Sequence, residues 1–463
     1  MPLGVRQWEL TLMSAPRAID LSWIDEFIDN VRPYVFVREE DELIIKRPNL
    51  AQKLNRQGVS ILKALLDGQR VADLLDHVGR EPQRIRDIAL FMVEVKRFME
   101  GRLDDVHRTS AIEVRPFTLG FATLPILSEI ALTYRCNLRC TFCYAGCNCT
   151  TNPVGDDGEM TVTEVQTILR KIREDAQVPS VSFTGGEATL RTDLEALVEY
   201  ASDLGMRVNL ITNGTRITEQ RARALAQAGL DSAQVSLEGV TGETHERVTT
   251  IPHSFRRTVA AVHLLREAGI HVHTNTTICR DNVHEIELMP RFVKHELGNE
   301  KFSMNLVVPA GSAALNRQMA VRYSEIGPYL VRIARESKHL GVDFMWYSPT
   351  PMCMFNPIAH GLGNKGCSAC DGLLSVAANG EVIPCASYDE PVGNLLEEPV
   401  LDVWRSKRAV QFREKFLAHP ECRSCEQFQI CNGACPLYWR EMGFAELCNV
   451  RGFGPVEEEH FAQ

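Results

Sequence analysis

The chain has 463 residues, an apolar fraction of 44% and a net charge of −10 at neutral pH. That length allows two to four domains with a sizeable core, and the Lys and Arg residues are scattered rather than gathered in runs, which excludes a broad nucleic-acid interface. The sequence has no signal-peptide pattern and no apolar run of the roughly 18–20 residues that cross a bilayer. A cytoplasmic protein with no nucleic-acid or membrane partner is therefore expected.

The first predicted domain is a small module at residues 33–110, which follows an N-terminal extension over residues 1–32. Short apolar runs predict strands, and apolar stripes of helical period predict helices. Asp67-Gly68 supplies a helix stop. The predicted elements are two strands and three helices, at residues 34–38, 42–46, 58–66, 71–78 and 82–98.

The second predicted domain, at residues 125–345, alternates strands with amphipathic helices six times. Thr161 and Glu164 form a capping box at one helix start. The strands are predicted to end near Tyr134, Thr184, Thr212, Ser236, Thr276 and Val308. Six repeats with short loops indicate a parallel sheet covered by helices. The fold class is therefore α/β, with a partial (β/α)6 TIM-like barrel rather than a closed barrel of eight units.

The third predicted domain, at residues 350–448, is rich in Gly, Pro and Cys, and residues 449–463 form a tail. Apolar residues show no regular spacing in this domain, which predicts sparse regular structure. Bound clusters are expected to take the place of a hydrophobic core. Cysteines in a long chain of intracellular character favour metal binding over disulfides. Cys279 stands apart and is predicted to be a buried strand residue without a special role.

A three-cysteine loop, Cys136, Cys140 and Cys143, directly follows the first barrel strand. Thiolates at this spacing can hold three irons of a [4Fe–4S] cube and leave the fourth open to an external chelating ligand. Cys147 and Cys149 lie close enough in sequence to supply a fourth thiolate, so a zinc site or a fully ligated cluster stays an alternative.

Polar and glycine residues recur where the barrel strands end. Such strand ends share one rim, where active sites of barrels are built. Paired glycines allow close approach of the backbone to a ligand, and a carboxylate can accept an ammonium group. The residues concerned are Gly185, Gly186, Glu187, Asn213, Ser236, Glu238 and Asn275.

The loop and the Gly-Gly-Glu motif together resemble the radical S-adenosylmethionine (SAM) superfamily, whose Cx3CxφC hallmark is matched with Phe142 at the aromatic position. The resemblance covers about residues 130–340. It implies a cluster on the three cysteines that reductively cleaves SAM to methionine and a 5′-deoxyadenosyl radical. It also implies that Gly185, Gly186 and Glu187 contact the methionine amino group, and that Ser236 and Glu238 face the ribose and nearby cofactor atoms.

The downstream cysteines are similar to the seven-cysteine motif of the SPASM extension found on peptide-modifying radical enzymes. The resemblance implies two auxiliary [4Fe–4S] clusters, hence three clusters in all. The implied distal ligands are Cys422, Cys425, Cys431 and Cys448, and the implied proximal ligands are Cys370, Cys385 and Cys435. Cys367 is favoured over Cys353 as the fourth proximal ligand. A zinc ribbon at the Cys422-x2-Cys425 pair is the alternative.

The N-terminal module resembles peptide-recognition elements related to the peptide chaperone of pyrroloquinoline-quinone biosynthesis, through Leu54-Asn55-Arg56 and the helix that follows. That resemblance implies a winged-helix-like domain that binds the leader of a ribosomally made precursor peptide. The expected function is therefore a radical SAM peptide maturase that forms a crosslink, a thioether, an epimer or a similar product. A flavodoxin or ferredoxin is the expected electron donor.

Two other functions stay open at this point. One is a radical enzyme that acts on a small molecule or a tetrapyrrole. The other is a non-catalytic iron–sulfur or zinc protein that binds a peptide. No residue is singled out as a general acid or base, and neither the substrate peptide nor the oligomeric state follows from the sequence.

Overall fold

The computed structural model describes residues 19–101, 121–146 and 158–456. The chain divides into two compact units, Met1–Pro116 and Phe117–Gln463. Among the described helices, none combines the length and the apolar character that a bilayer crossing requires.

The first unit is a three-stranded antiparallel sheet packed against four helices. The strands are β1 (Val35–Arg38), β2 (Leu43–Lys46) and β3 (Leu50–Lys53), in the order β1-β2-β3. The helices are α1 (Ser22–Val31), α2 (Arg56–Leu66), α3 (Val71–Val78) and α4 (Pro82–Met99). The two predicted strands and three predicted helices are all present, with α2 capped by the Asn55 side chain, which accepts from the N–H of Gly58 at 2.8 Å.

Two elements of the first unit differ from the sequence prediction. Helix α1 lies within the segment that was predicted as an extension, and it buries Ile24 and Ile28 in the core of the unit. Strand β3 has the sequence Leu-Ala-Gln-Lys, which lacks the alternation that marks a half-buried strand. Its pairing with β2, from Leu43 opposite Lys53 to Lys46 opposite Leu50, makes it a strand.

The second unit is built on a ten-stranded sheet in the order β10-β9-β8-β7-β6-β5-β4-β11-β12-β13. The strands are β4 (Leu127–Ala131), β5 (Ser180–Thr184), β6 (Arg207–Thr212), β7 (Ser232–Ser236), β8 (His271–Ile278), β9 (Lys301–Leu306), β10 (Asp343–Trp346), β11 (Leu373–Val376), β12 (Glu381–Ile383) and β13 (Gly393–Asn394). Pairing is parallel from β10 through β11 and antiparallel for β12 and β13. The predicted α/β class with an open, partial barrel is therefore confirmed.

Helices connect the parallel strands and cover the sheet. They are α5 (Val162–Arg170), α6 (Leu194–Asp203), α7 (Glu219–Gln227), α8 (Gly242–Thr249), α9 (Ser254–Glu267), α10 (Met289–His295) and α11 (Tyr323–Leu340). Five shorter helices follow β13: α12 (Val400–Trp404), α13 (Lys407–Arg413), α14 (Phe428–Cys431), α15 (Pro436–Met442) and α16 (Ala445–Arg451). The predicted capping box begins α5: the Thr161 hydroxyl accepts from the N–H of Glu164 at 3.3 Å, and the Glu164 carboxylate accepts from the N–H of Thr161 at 2.7 Å.

The six predicted strands are all present, and three of them end at the predicted residues Thr184, Thr212 and Ser236. Four further strands were not predicted. Strand β10 extends one side of the sheet, and β11, β12 and β13 extend the other. The last three belong to the cysteine-rich segment, so the prediction that regular structure is sparse there is wrong.

The cysteine-rich segment also contributes ordinary apolar side chains to the main core. Leu374 and Val376 of β11, Trp404 of α12 and Trp439 of α15 are buried in the same hydrophobic cluster as the barrel strands. The segment therefore folds onto the edge of the barrel as a continuation of its sheet, and bound clusters are not the sole source of its core.

Candidate active site

The three-cysteine loop lies at the carboxyl end of β4 and is held by neighbouring backbone. The N–H of Arg139 donates to the carbonyl of Thr249 at 3.2 Å, and the N–H of Thr141 donates to the carbonyl of Val248 at 3.0 Å. On the other side, the N–H of Ser312 donates to the carbonyl of Cys143 at 2.8 Å. The loop is therefore fixed by the end of α8 and by the segment that follows β9.

Cys136, Cys140 and Cys143 line one cavity of about 270 Å³ that opens to solvent. The same cavity is lined by seven of the eight residues that the sequence predicts to contact the cofactor: Phe142, Gly185, Gly186, Asn213, Ser236, Glu238 and Asn275. The structure thus brings together residues from the loop and from four successive strand ends. The eighth, Glu187, is not among the lining residues.

The electrostatic setting of the loop disfavours free thiolates. Burial raises the pKa of Cys136 to about 11, with further raising by the charges of Glu187 and Cys143. Burial likewise raises the pKa of Cys140 well above its ordinary value, with added effects of Glu238 and the other two thiols. A bound cationic group would offset both effects, since metal ligation requires the thiolate form. The donor set therefore fits an iron–sulfur cluster.

The paired glycines hold the ends of β4 and β5 together next to Cys136. The N–H of Gly186 donates to the carbonyl of Thr133 at 2.7 Å, and the N–H of Glu187 donates to the carbonyl of Arg135 at 2.9 Å. A Cβ at Gly185 would overlap the carbonyl of Thr133, and one at Gly186 would overlap that of Arg135. Gly185 also has a φ of +139°, which side chains rarely adopt. Glycine is therefore required at both positions, because the backbone there lies against another chain segment and also lines the cavity.

Glu187 is placed differently from the prediction that its carboxylate receives the ammonium group of the cofactor. The side chain is buried, and its oxygens accept from the N–H of Thr189 at 3.0 Å, the hydroxyl of Thr189 at 2.5 Å, the hydroxyl of Thr212 at 2.7 Å and the N–H of Asn213 at 2.7 Å. Four donors within the protein already satisfy this carboxylate. It fixes the end of β6 instead of facing the cavity.

Asn213 is the residue that Glu187 positions. Its side-chain nitrogen lies 3.0 Å from the amide oxygen of Asn137, to which it donates, and 3.9 Å from Sγ of Cys136. Its amide oxygen accepts from the N–H and the hydroxyl of Thr215. The turn after β6 is thereby tied to the three-cysteine loop.

Glu238 and Asn275 occupy the far wall of the cavity. Burial raises the pKa of the Glu238 carboxyl to about 8, although it accepts from the N–H of Thr277 at 2.9 Å. The N–H of Glu238 donates to Nδ1 of His245, whose pKa burial lowers to about 4. The Asn275 amide donates to Asn305 at 2.8 Å. These polar groups form a wall that suits hydroxyl and amide partners.

The cavity is also lined by polar residues that were not predicted, among them Glu129, Gln234, Asn305 and Ser387. Glu129 is half-buried, and desolvation raises its pKa although it accepts from the hydroxyl of Ser375 and the N–H of Ala386. Gln234 lies two residues before Ser236 on β7, so the period-two alternation of a strand could have identified it. Ser387 comes from the cysteine-rich segment, two residues after Cys385, which the sequence could not place at the barrel mouth.

His273 on β8 and Tyr323 on α11 do not line the cavity. His273 pairs with the side chain of Gln234 at 3.1 Å, and burial lowers its pKa to about 4. Tyr323 is buried against Tyr438 and Trp439, with ring centroids 4.1 and 5.3 Å away. Neither belongs to the lining residues of the cavity.

The downstream cysteines form two groups. In the first, Cys370 is buried, and Cys385 and Cys435 are partly buried. Desolvation raises the pKa of all three thiols, and the charge of Cys367 raises each further. Lys415 donates to the carbonyl of Cys367 at 2.7 Å. This first group contains the three implied proximal cysteines together with Cys367, the favoured fourth.

The second group lines a separate cavity and consists of Cys353, Cys422, Cys425 and Cys431. Cys448 was the implied fourth member, but its Sγ lies 3.4 Å from the carbonyl of Gly454 and 3.9 Å from Nε2 of His419. The structure therefore places Cys353, and not Cys448, with the three distal cysteines.

Within residues 19–101, 121–146 and 158–456, no three Cys, His, Asp or Glu side chains converge closely enough to share one metal ion. The thiols of each group are instead spread around a cavity or a buried core. Cys147 and Cys149, the alternative ligands of the first loop, lie outside the described residues.

Two family models match the chain. One, described as the radical SAM superfamily, matches residues 130–293, and the other, described as an iron–sulfur cluster-binding domain (SPASM), matches residues 367–426. The first covers the barrel strands from β4 to β8 and the cavity residues on them. The second covers the cysteines from Cys367 to Cys425.

Among similar proteins, an AdoMet-dependent heme synthase of Nitratidesulfovibrio vulgaris is 28% identical over 326 residues, which are 65% of this chain and 85% of the relative. A PqqA peptide cyclase of Rhizobium meliloti is 29% identical over 324 residues, which are 67% of this chain and 82% of the relative. Both alignments span most of the relative.

Among solved structures, SuiB of Streptococcus suis bound to its precursor peptide SuiA superposes with a TM-score of 0.62 and 16% identity, over 88% of this chain and 95% of SuiB. SuiB has also been solved with S-adenosylmethionine bound, and that structure gives a TM-score of 0.61. At this identity the likeness establishes the fold.

Proposed function

This chain is a radical SAM enzyme with a SPASM iron–sulfur domain, and from that premise we propose that it matures a ribosomally made precursor peptide. The observation that carries the peptide substrate is the three-stranded sheet of the first unit, whose β3 pairs only with β2 among the described residues. Such an edge can accept a further strand, with main-chain hydrogen bonds giving affinity and side-chain pockets giving selectivity.

Cys136, Cys140 and Cys143 would hold the catalytic cluster, because three thiols on one cavity leave one iron of a [4Fe–4S] cube without a protein ligand. The cluster, when bound, supplies the electron that divides SAM into methionine and a 5′-deoxyadenosyl radical. The glycine backbone at 185–186, the Asn213 amide and the polar wall formed by Ser236, Glu238 and Asn275 would bind and orient SAM.

The proximal cysteine group lies next to this cavity. Ser387 lines the cavity two residues after Cys385, and Glu129 on the cavity wall accepts from the N–H of Ala386. A cluster held by Cys367, Cys370, Cys385 and Cys435 would therefore be close enough to accept an electron from a substrate radical. That arrangement supports a net oxidative modification such as a crosslink.

A proline at the edge of β3 tests leader binding. The N–H of Leu54 donates to the carbonyl of Glu42, the residue before β2, at 2.9 Å. Successive N–H groups of a strand point to opposite sides, so the N–H of Ala51, three residues before Leu54, points away from β2. Ala51→Pro removes this outward donor and spares the ladder to β2, whereas Ala51→Thr keeps the donor and serves as the matched control.

The assay is co-expression of each full-length variant with every short open reading frame that flanks the gene, followed by mass spectrometry of the peptides. We expect Ala51→Pro to reduce modification at least about tenfold, the cost of roughly 1.4 kcal/mol in leader affinity, and Ala51→Thr to retain it. Both variants should cleave SAM without peptide at the wild-type rate. Equal peptide modification by both variants would contradict leader binding at this edge.

A tetrapyrrole substrate is the second candidate, and the heme synthase relatives favour it. Incubation of the reduced enzyme and SAM with a porphyrin precursor of haem, followed by absorbance and mass spectrometry, distinguishes the two. We expect no conversion of the porphyrin. Its conversion, with every flanking peptide unchanged, would replace the peptide proposal.

A further inference from the structure

The C-terminal part of the second unit contains a cavity of about 250 Å³ that is open to solvent. Cys353, from the turn that follows β10, lines it together with Cys422, Cys425 and Cys431. We infer that Cys353, and not Cys448, is the fourth ligand of the distal auxiliary cluster. The inference rests on the proposed function, because it requires iron–sulfur clusters in this domain.

The turn that carries Cys353 is fixed beside the other thiols. The N–H of Met352 donates to Sγ of Cys431 at 3.4 Å, and the N–H of Met354 donates to the carbonyl of Pro351 at 2.9 Å. Backbone N–H groups directed at ligand sulfurs are one way in which proteins tune iron–sulfur clusters. Cys353 therefore adjoins a residue that already contacts a distal thiol.

One cationic side chain lies at the same site. Arg451 lines the cavity together with the four thiols. Four thiols and one guanidinium therefore share this site, and four thiolates are the number that fully ligates a [4Fe–4S] cluster.

Cys448 is directed away from this cavity by the geometry of α16. Leu447 and Arg451, which are four residues apart, line the cavity on one face of the helix. Cys448 is about 100° further around the helix axis. Its Sγ contacts the carbonyl of Gly454 and lies near Nε2 of the buried His419. Ligation by Cys448 would require the helix to rotate and Leu447 to leave its buried position.

The experiment compares Cys353→Ala with Cys448→Ala in the full-length chain, reconstituted anaerobically with iron and sulfide. The wild type should bind about 12 irons, four in each of three clusters. We expect Cys353→Ala to lose up to about four irons, or to show the electron resonance signal of an incomplete cluster, and Cys448→Ala to keep the wild-type iron content. Circular dichroism checks that both variants are folded.

Thiol labelling gives a second measurement that needs no variant. Iodoacetamide should label Cys353 in the iron-free wild type and leave it protected after reconstitution, whereas labelling of Cys448 should not depend on iron. Loss of iron from Cys448→Ala, unchanged iron in Cys353→Ala, or iron-dependent protection of Cys448 would each overturn the inference. A wild type that binds no iron and sulfide would instead refute the proposed function.

Discussion

Replacement of Glu187 by glutamine tests whether this carboxylate positions the strand end or binds the cofactor directly. Glutamine has nearly the same shape but only one acceptor oxygen and no charge. In the structure both carboxylate oxygens accept, three bonds at Oε1 from Thr189 and Thr212 and one at Oε2 from the N–H of Asn213. The side-chain nitrogen of glutamine would therefore face one of these donors and could not accept its hydrogen bond.

The magnitude follows from these four bonds. A buried donor left unsatisfied costs about 1–3 kcal/mol, and the remaining bonds weaken because they lose the charge. We expect Glu187→Gln to lower the free energy of unfolding of the cofactor-free chain by about 2–4 kcal/mol. Thr212→Val, the matched control, removes one hydroxyl donor and should cost about 1 kcal/mol.

The assay is urea unfolding of the iron-free protein, followed by tryptophan fluorescence, with SAM binding to the reconstituted protein measured in parallel. A positioning role predicts the stability loss before any cofactor is present. If Glu187→Gln unfolds within about 0.5 kcal/mol of the wild type while SAM affinity falls tenfold, then the carboxylate contacts the cofactor and the reasoning from its four donors is refuted.

Three further predictions concern the second unit. Gly186→Ala should abolish SAM cleavage and destabilise the chain by about 1–3 kcal/mol, because its Cβ would overlap the Arg135 carbonyl, whereas Gly242→Ala, whose Cβ would meet Phe255 only at ordinary contact distances, should cleave SAM normally in the 5′-deoxyadenosine assay. Since burial lowers the pKa of His273 and of His245 to about 4, stability should fall as the pH drops from about 6.5 to about 4, by up to roughly 3 kcal/mol for each histidine, and acid unfolding of His273→Gln should show a smaller decline than that of the wild type. Cys279→Ala should leave the iron content unchanged, because this buried thiol lines neither cysteine cavity; a loss of about four irons would mean that it is a ligand.

The barrel and most of its cavity could be predicted because their signals are local. Strands such as Ser180–Thr184 are fully buried and are followed by turn residues, and parallel strands necessarily end at the same rim. Residues at those ends, such as Gly185, Ser236 and Asn275, were therefore identified without knowledge of the contacts between strands.

What the sequence could not provide are the pairings between distant segments. The role of Glu187 depends on donors from Thr212 and Asn213, about 25 residues away. Strand β11 depends on pairing with β4, which precedes it by about 240 residues. The cysteine spacing assigned Cys448 to the distal group and offered Cys353 only as a less favoured proximal ligand; the direction in which α16 presents its side chains, and the turn that carries Cys353, reverse that assignment.

The central claim is that Cys136, Cys140 and Cys143 alone supply the ligands of the SAM-cleaving cluster, and one measurement tests it directly. The full-length protein is reconstituted with iron and sulfide, reduced with dithionite and incubated with SAM, and 5′-deoxyadenosine is measured by liquid chromatography. The account predicts product from the wild type and from Cys147→Ala/Cys149→Ala, and none from Cys140→Ala. Product from Cys140→Ala, or its loss in the double variant, would contradict the account.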